Sequence, residues 1–219
     1  SEKEMKYKYI FCAGAPGSKW SSLIKNIYFS PDVDQSDYSD ARTYYHDASG
    51  KMDLMHLGAY FDPGMEFALP ENISALNRQQ LENIFDQPFE DNPHKIKIIK
   101  SHLFSEYIDY LKFIFPEIPI ITVERSDDSC LGWWVKCGAF DITYPDYSEY
   151  FRDLRNMAAI IRRQNAAIKL AQQNYPGQRA ETNQQLARIL GISQPPAEHR
   201  QVYADNDIRV TVIWNQVGT

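Results

Sequence analysis

The chain has 219 residues, 43% hydrophobic and 24% charged, with a formal net charge of −6. That length and mixture exclude a disordered chain and fit one domain, whose single core can bury roughly 70–75% of the unfolded surface without help from disulfides or a metal. The acidic balance argues against broad nucleic-acid binding, which needs a basic face, and no apolar run reaches the roughly 20 residues of a membrane span.

The elements follow one another simply. Residues 7–12 (Tyr-Lys-Tyr-Ile-Phe-Cys) are β-branched and aromatic and predict a strand, followed at once by a Gly/Pro loop. A helix is expected from about Ser18, with Leu23, Ile24 and Ile27 at helical spacing and Pro31 after its end. Residues 30–50 are rich in Asp, Ser and Tyr and read as an irregular, exposed insertion. A helix over 74–85, a strand over 96–100 and a helix over 105–115, stopped by Pro116, come next. Residues 118–124 form a nearly continuous apolar run, as in a strand buried on both faces of a parallel sheet. Helices are then expected over 127–138 and 147–174, the latter with Leu154, Met157, Ala158, Ile161 and Ile168 as one stripe. A short helix over 183–190, capped by Gly191, and a strand over 208–214 complete the chain. Strand–loop–helix units in series predict a single α/β domain, 1–219, with a central parallel β-sheet flanked by helices.

Cys12, Cys130 and Cys137 are few and odd in number. Cys130 and Cys137 are seven residues apart, about 10 Å along a helix, which is too far to bridge, so buried free thiols in a reducing compartment are expected. The charged start Ser-Glu-Lys-Glu-Met-Lys does not read as a signal peptide. A cytoplasmic location is therefore the expectation, and the sequon Asn72-Ile73-Ser74 is then a chance match.

In parallel α/β folds ligands gather at the carboxyl ends of the strands, so three loops carry the functional information. The first is Gly14-Ala15-Pro16-Gly17-Ser18-Lys19-Trp20-Ser21-Ser22. Glycines let the backbone approach a ligand, the following helix aims its N–H groups and positive dipole end at it, and Lys19 adds a charge. Phosphate or sulfate suits that arrangement even in an acidic chain. The Walker A pattern is narrowly missed: Gly14 to Lys19 is one residue short, and Trp20 follows the lysine where Ser or Thr belongs. A tight strand–helix turn without a ligand accounts for the same residues.

The second loop is Lys100-Ser101-His102-Leu103, where a histidine at a strand end can take a proton from a bound hydroxyl. The third is Val123-Glu124-Arg125-Ser126-Asp127-Asp128-Ser129, where Arg125 can clamp a second phosphate, with Ser126 or Ser129 beside it. Taken singly, His102 also reads as a structural histidine, and the third loop as a helix cap with two acids on the dipole.

Together these loops resemble the sulfotransferases that use 3′-phosphoadenosine 5′-phosphosulfate (PAPS). Pro16-Gly17-Ser18-Lys19-Trp20-Ser21 stands where that family has its phosphosulfate loop, Pro-(Lys/Arg)-Ser-Gly-Thr. Lys100-Ser101-His102-Leu103 is similar to the Lys-Thr-His-Leu of cytosolic-type members, and Val123-Glu124-Arg125 to the strand-ending arginine. The departures are Gly17 in place of the loop Lys or Arg, Trp133 in place of a serine eight residues past the arginine, and no clear match to the C-terminal Arg-Lys-Gly segment.

The resemblance implies a P-loop-like nucleotide-binding fold and sulfuryl transfer from PAPS to an acceptor hydroxyl, with adenosine 3′,5′-bisphosphate (PAP) as product. It implies His102 as base, with Lys19 and Lys100 stabilising charge, and donor binding by Pro16, Gly17, Ser18, Lys19, Trp20, Ser21, Ser22, Arg125 and Ser129. No metal is required. The acceptor would be a small molecule or glycan, in a pocket for which Tyr38, Tyr44, Tyr45, Tyr60, Phe61 and Phe67 are candidates. A nucleotide kinase or NTPase with an atypical phosphate loop, and a catalytically degenerate nucleotide-binding protein, are the alternatives. Neither the acceptor nor the oligomeric state is written in the sequence.

Overall fold

Three apolar segments lie side by side as parallel strands: β2 (Lys97–Lys100), β1 (Tyr9–Gly14) and β3 (Ile120–Arg125). The computed structural model describes residues 6–42, 57–142, 146–196, 202–205 and 207–214. All six residues of β1 are buried, as are the first four of β3, which is why both read as continuous apolar runs instead of alternating ones. The expected parallel sheet needs correction beyond β3. β5 (Ile208–Ile213) runs antiparallel to β3, and β4 (Gly177–Ala180) antiparallel to β5, giving a mixed sheet ordered β2-β1-β3-β5-β4.

The helices that flank the sheet are α1 (Trp20–Tyr28), α2 (Arg78–Asp86), α3 (Ile108–Ile114), α4 (Asp127–Lys136), α5 (Ser148–Phe151), α6 (Leu154–Asn174) and α7 (Asn183–Leu190). Phe11 of β1 packs its ring against Phe85 of α2, Phe104 and Phe115, with centroids 5.1–5.5 Å away. Such edge-on aromatic pairs add to simple area burial. α6 rests on β1 and β3 through an apolar face that includes Met157, Ile161 and Ile168, all buried. No helix among the described residues is long and apolar enough to cross a membrane.

Several boundaries move for local reasons. The helix expected over 147–174 is two, because Arg152 adopts φ 63° and Asp153 then starts α6 by accepting from the Asn156 N–H. Leu154, placed on the buried stripe by periodicity, is 48% exposed. The helix expected over 105–115 divides into a 3₁₀ turn (His102–Glu106) and α3. α2 starts later than residue 74, at a capping box made by Asn77 and Gln80. Residues 30–37 are not the exposed insertion expected: Val33, Asp34 and Asp37 are buried, and Val33 bridges Ile96 of the neighbouring segment.

Candidate functional site

The three loops meet at the carboxyl edge of the parallel trio, because β2, β1 and β3 are adjacent and in register there: Cys12 opposes Lys100, and Gly14 opposes Val123. Side-chain bonds then join the loops. His102 Nδ1 lies 2.6 Å from the Gly14 carbonyl, and Arg125 Nη1 donates to the Gly17 carbonyl at 3.0 Å.

The first loop is set by its glycines. Gly17 has φ +81°, and a Cβ there would sit 1.9 Å from the Cys130 carbonyl oxygen, so the loop lies directly on the backbone of α4. A lysine or arginine at 17 has no room. The loop's cation instead projects from Lys19, itself left-handed at φ 65°, at the N-cap of α1. The first-turn N–H groups of that helix have no partners within it. Lys19 is buried to 8% exposure, with Nζ 2.6 Å from Asp205 Oδ2 and 4.3 Å above the Trp133 ring. Trp133, eight residues past Arg125, where the resemblance implies a serine, packs on the lysine instead. Ser18 faces inward: its Oγ would be 2.7 Å from a Cβ on Gly14, and it has no hydrogen-bond partner among the described residues. Ser21 and Ser22 are buried and line a small pocket with Gly17, Lys19, Trp20, Trp133 and Tyr147.

The second loop is held from below. Asp62, fully buried, accepts from Ser101 Oγ at 2.9 Å, the Leu103 N–H at 3.0 Å and the His102 N–H at 3.2 Å. Desolvation by burial pushes its carboxyl up to about 7, although the bonds from Tyr60, Leu103, Ser101 and His102 oppose that shift. His102 is 2% exposed, and its ring stacks on Trp20 at 3.9 Å. Burial lowers its pKa to about 3, the Gly14 bond opposing and the Lys100 charge adding. The ring is therefore neutral, and donation from Nδ1–H to Gly14 puts the lone pair on Nε2. Lys100 donates to the Leu57 carbonyl instead of to a group of the first loop. Its burial lowers it to about 8, against the pull of Asp37 and Cys12.

At the third loop Arg125 bonds Gly17 through Nη1 and Asp207 through Nε at 3.3 Å. Ser126 Oγ also reaches Asp207 at 3.3 Å. Burial works to raise the Asp207 carboxyl, but a hydrogen bond from Ser129 and the charge of Arg125 win and hold it below the usual range. Pro16 completes the first loop, whose turn is closed by the Ser18 N–H on the Ala15 carbonyl. Among the described residues no group of three or more His, Cys, Asp or Glu side chains could hold a metal ion.

Asp62, Asp205 and Asp207 are absent from the sequence expectations, since no local spacing ties them to the three loops. Of the candidate acceptor aromatics, Tyr60, Phe61 and Phe67 are buried, with Tyr60 edge-on to His102 at 5.4 Å and Phe61 tilted against Phe67. Tyr38 is exposed, and Tyr44 and Tyr45 lie outside the described residues. Comparisons of the chain with protein-family models, with curated proteins and with solved structures find no match.

Proposed function

We propose that the chain is a PAPS-dependent sulfotransferase of P-loop-like fold, moving a sulfuryl group to an acceptor hydroxyl. The observation that carries this reading is the joining of the three loops through the Gly14–Lys19 turn: His102 on the Gly14 carbonyl and Arg125 on the Gly17 carbonyl. A helix N-terminus with a left-handed lysine offers one anion position. Arg125, with Ser126 and Ser129 at the start of α4, offers a second. A donor with a 5′-phosphosulfate and a 3′-phosphate needs two such positions.

In this reading His102 Nε2 accepts the acceptor's hydroxyl proton as the oxygen bonds to sulfur. The bond from sulfur to the bridging oxygen breaks, and that oxygen leaves with its electron pair on PAP. Lys19 offsets the charge growing on the leaving oxygens. Lys100 acts on His102 through its charge and not by touching the donor, as its ammonium is held by Leu57. An imidazole at about 3 is a weak base. Anionic charge bound at the neighbouring turn would raise it, so donor binding would also prepare the base.

Burial of the imidazole under Trp20 favours a second reading, a nucleotide-binding protein without turnover. Calorimetric titration separates the readings at their first step. PAP is expected to bind at least tenfold more tightly than AMP, the gain from one charge-assisted phosphate contact, and Arg125→Ala is expected to erase that difference. Equal affinities for PAP and AMP in the wild type, or tight binding of ATP only with Mg²⁺, would set the donor assignment aside in favour of a kinase or NTPase.

A further inference from the structure

We propose that Asp205 and Asp207 are specificity-determining residues, a pair of carboxylates that fill the two anion positions of the site, so that each position opens only to a ligand group whose charge displaces its own carboxylate. The proposal rests on the two-anion reading above for the identity of that ligand, but its geometry stands independently. Asp205 Oδ2 is 2.6 Å from Lys19 Nζ, and Asp207 Oδ2 is 3.3 Å from both Arg125 Nε and Ser126 Oγ. The two acids sit two residues apart on the segment leading into β5. One short stretch of chain therefore neutralises both of the cations that the first and third loops supply.

Burial makes these contacts matter, and partial exposure makes them exchangeable. The Lys19 and Arg125 side chains are 7% and 10% exposed, so each needs a counter-charge close by. The Asp205 and Asp207 side chains are 29% and 33% exposed, so each can swing into water and be hydrated when another anion takes its place. Such half-exposed pairs are weak individually. A ligand carrying one anionic group displaces one carboxylate and leaves the other on its own cation. A ligand carrying two displaces both and gains both cations.

The carboxylates also explain how an acidic chain keeps two buried cations near a turn that favours anions. Trp133 covers Lys19 from one side and Asp205 from another, and Lys19 and Trp133 both line the small pocket beside the turn. Ligand entry and release of Asp205 would be one event.

The test is calorimetric titration of the full chain and of Asp205→Asn, Asp207→Asn and the double variant with pyrophosphate, AMP and PAP at fixed salt. Asparagine keeps the size and removes the competing charge. Each single substitution is expected to tighten pyrophosphate about two- to fivefold, the range of a part-exposed ion pair. Asp205→Asn should tighten AMP and PAP alike, Asp207→Asn should tighten PAP much more than AMP, and the double variant should combine the two effects and so widen the preference for PAP over AMP. Melting temperatures of the ligand-free variants check that the fold is intact. Unchanged or weaker binding of every anion by folded variants overturns the proposal, as does failure of all four proteins to bind any of the probes. If the variants tighten pyrophosphate while PAP never exceeds AMP, the carboxylate pair stands and the donor reading falls.

Discussion

The two sides of the Gly14–Lys19 turn are built on opposite principles. On the α4 side, Lys19 and Arg125 meet carboxylates about one-third exposed, so the charges are paired but replaceable. On the β2 side, Asp62, Lys100 and His102 are all nearly inaccessible, and each is held by backbone groups or neutral partners. Exchangeable ion pairs belong to a surface that changes partners, whereas a dry hydrogen-bonded network fixes a loop in one geometry. The first side is thus suited to exchange of partners, and the second to holding the His102 loop in a fixed geometry.

The largest expected effect comes from breaking the piece the two sides share. Gly17→Ala forces a methyl group onto the Cys130 carbonyl at a left-handed φ. It should destabilise the fold by about 3 kcal/mol or more in urea unfolding, and should remove PAP binding in whatever fraction remains folded.

Next comes a pH experiment that separates the positioning side from the rest. His102 falls from 6.5 to about 3, so the unfolded chain takes up its proton first and stability is lost as pH drops below 6.5. Asp62 rises from 3.8 to about 7, so the folded chain takes up its proton first and stability is gained as pH drops from 7 towards 4. Each contributes a slope of about 1.4 kcal/mol per pH unit, of opposite sign. The two nearly cancel between about pH 6.5 and 4. Asp62→Asn should unmask a steep loss of stability on acidification relative to wild type, and His102→Gln a relative gain. Parallel pH profiles for all three proteins would show that this side of the turn is not the buried network described.

The binding side should respond more gently. Lys19→Ala is expected to weaken PAP about tenfold, the worth of one charge-assisted contact, and Lys19→Arg to recover only part of it, since a planar fork does not fit a left-handed N-cap beneath Trp133. In the wild type, PAP at a hundredfold excess over Kd is expected to add about 2.7 kcal/mol. That should raise Tm by roughly 5–11 °C. AMP should do less. Affinity unchanged in Lys19→Ala would place the anion elsewhere.

The sequence makes the positioning of the loops legible but not their contents. β1 and β3 announce themselves as apolar runs, and strand–loop–helix order brings residues 14–19, 100–102 and 125 to one edge. β4 is silent because Gly-Gln-Arg-Ala has no β-branched or aromatic residue, so pairing with β5 alone makes it a strand. The reversed direction of β5 is equally hidden, since a strand's orientation is a property of its connection. The lysine at 19 reads as displaced until the Cys130 carbonyl shows why 17 is glycine. Lys100 reads as a cleft residue, but the Leu57 carbonyl that holds it is remote in sequence. Asp62, Asp205 and Asp207 act over separations of about 40 to 186 residues, where no spacing rule reaches.

Transfer of radiolabelled sulfuryl from PAPS to a panel of alcohols, phenols and sugars, with wild type and His102→Ala side by side, tests the central claim most directly. Wild type should label at least one acceptor class. His102→Ala should turn over about 10²–10⁴-fold more slowly, the range for a positioned proton acceptor, while binding PAP as wild type does. A folded His102→Ala protein that binds PAP and transfers sulfuryl at the wild-type rate would contradict the assignment of His102 as the base.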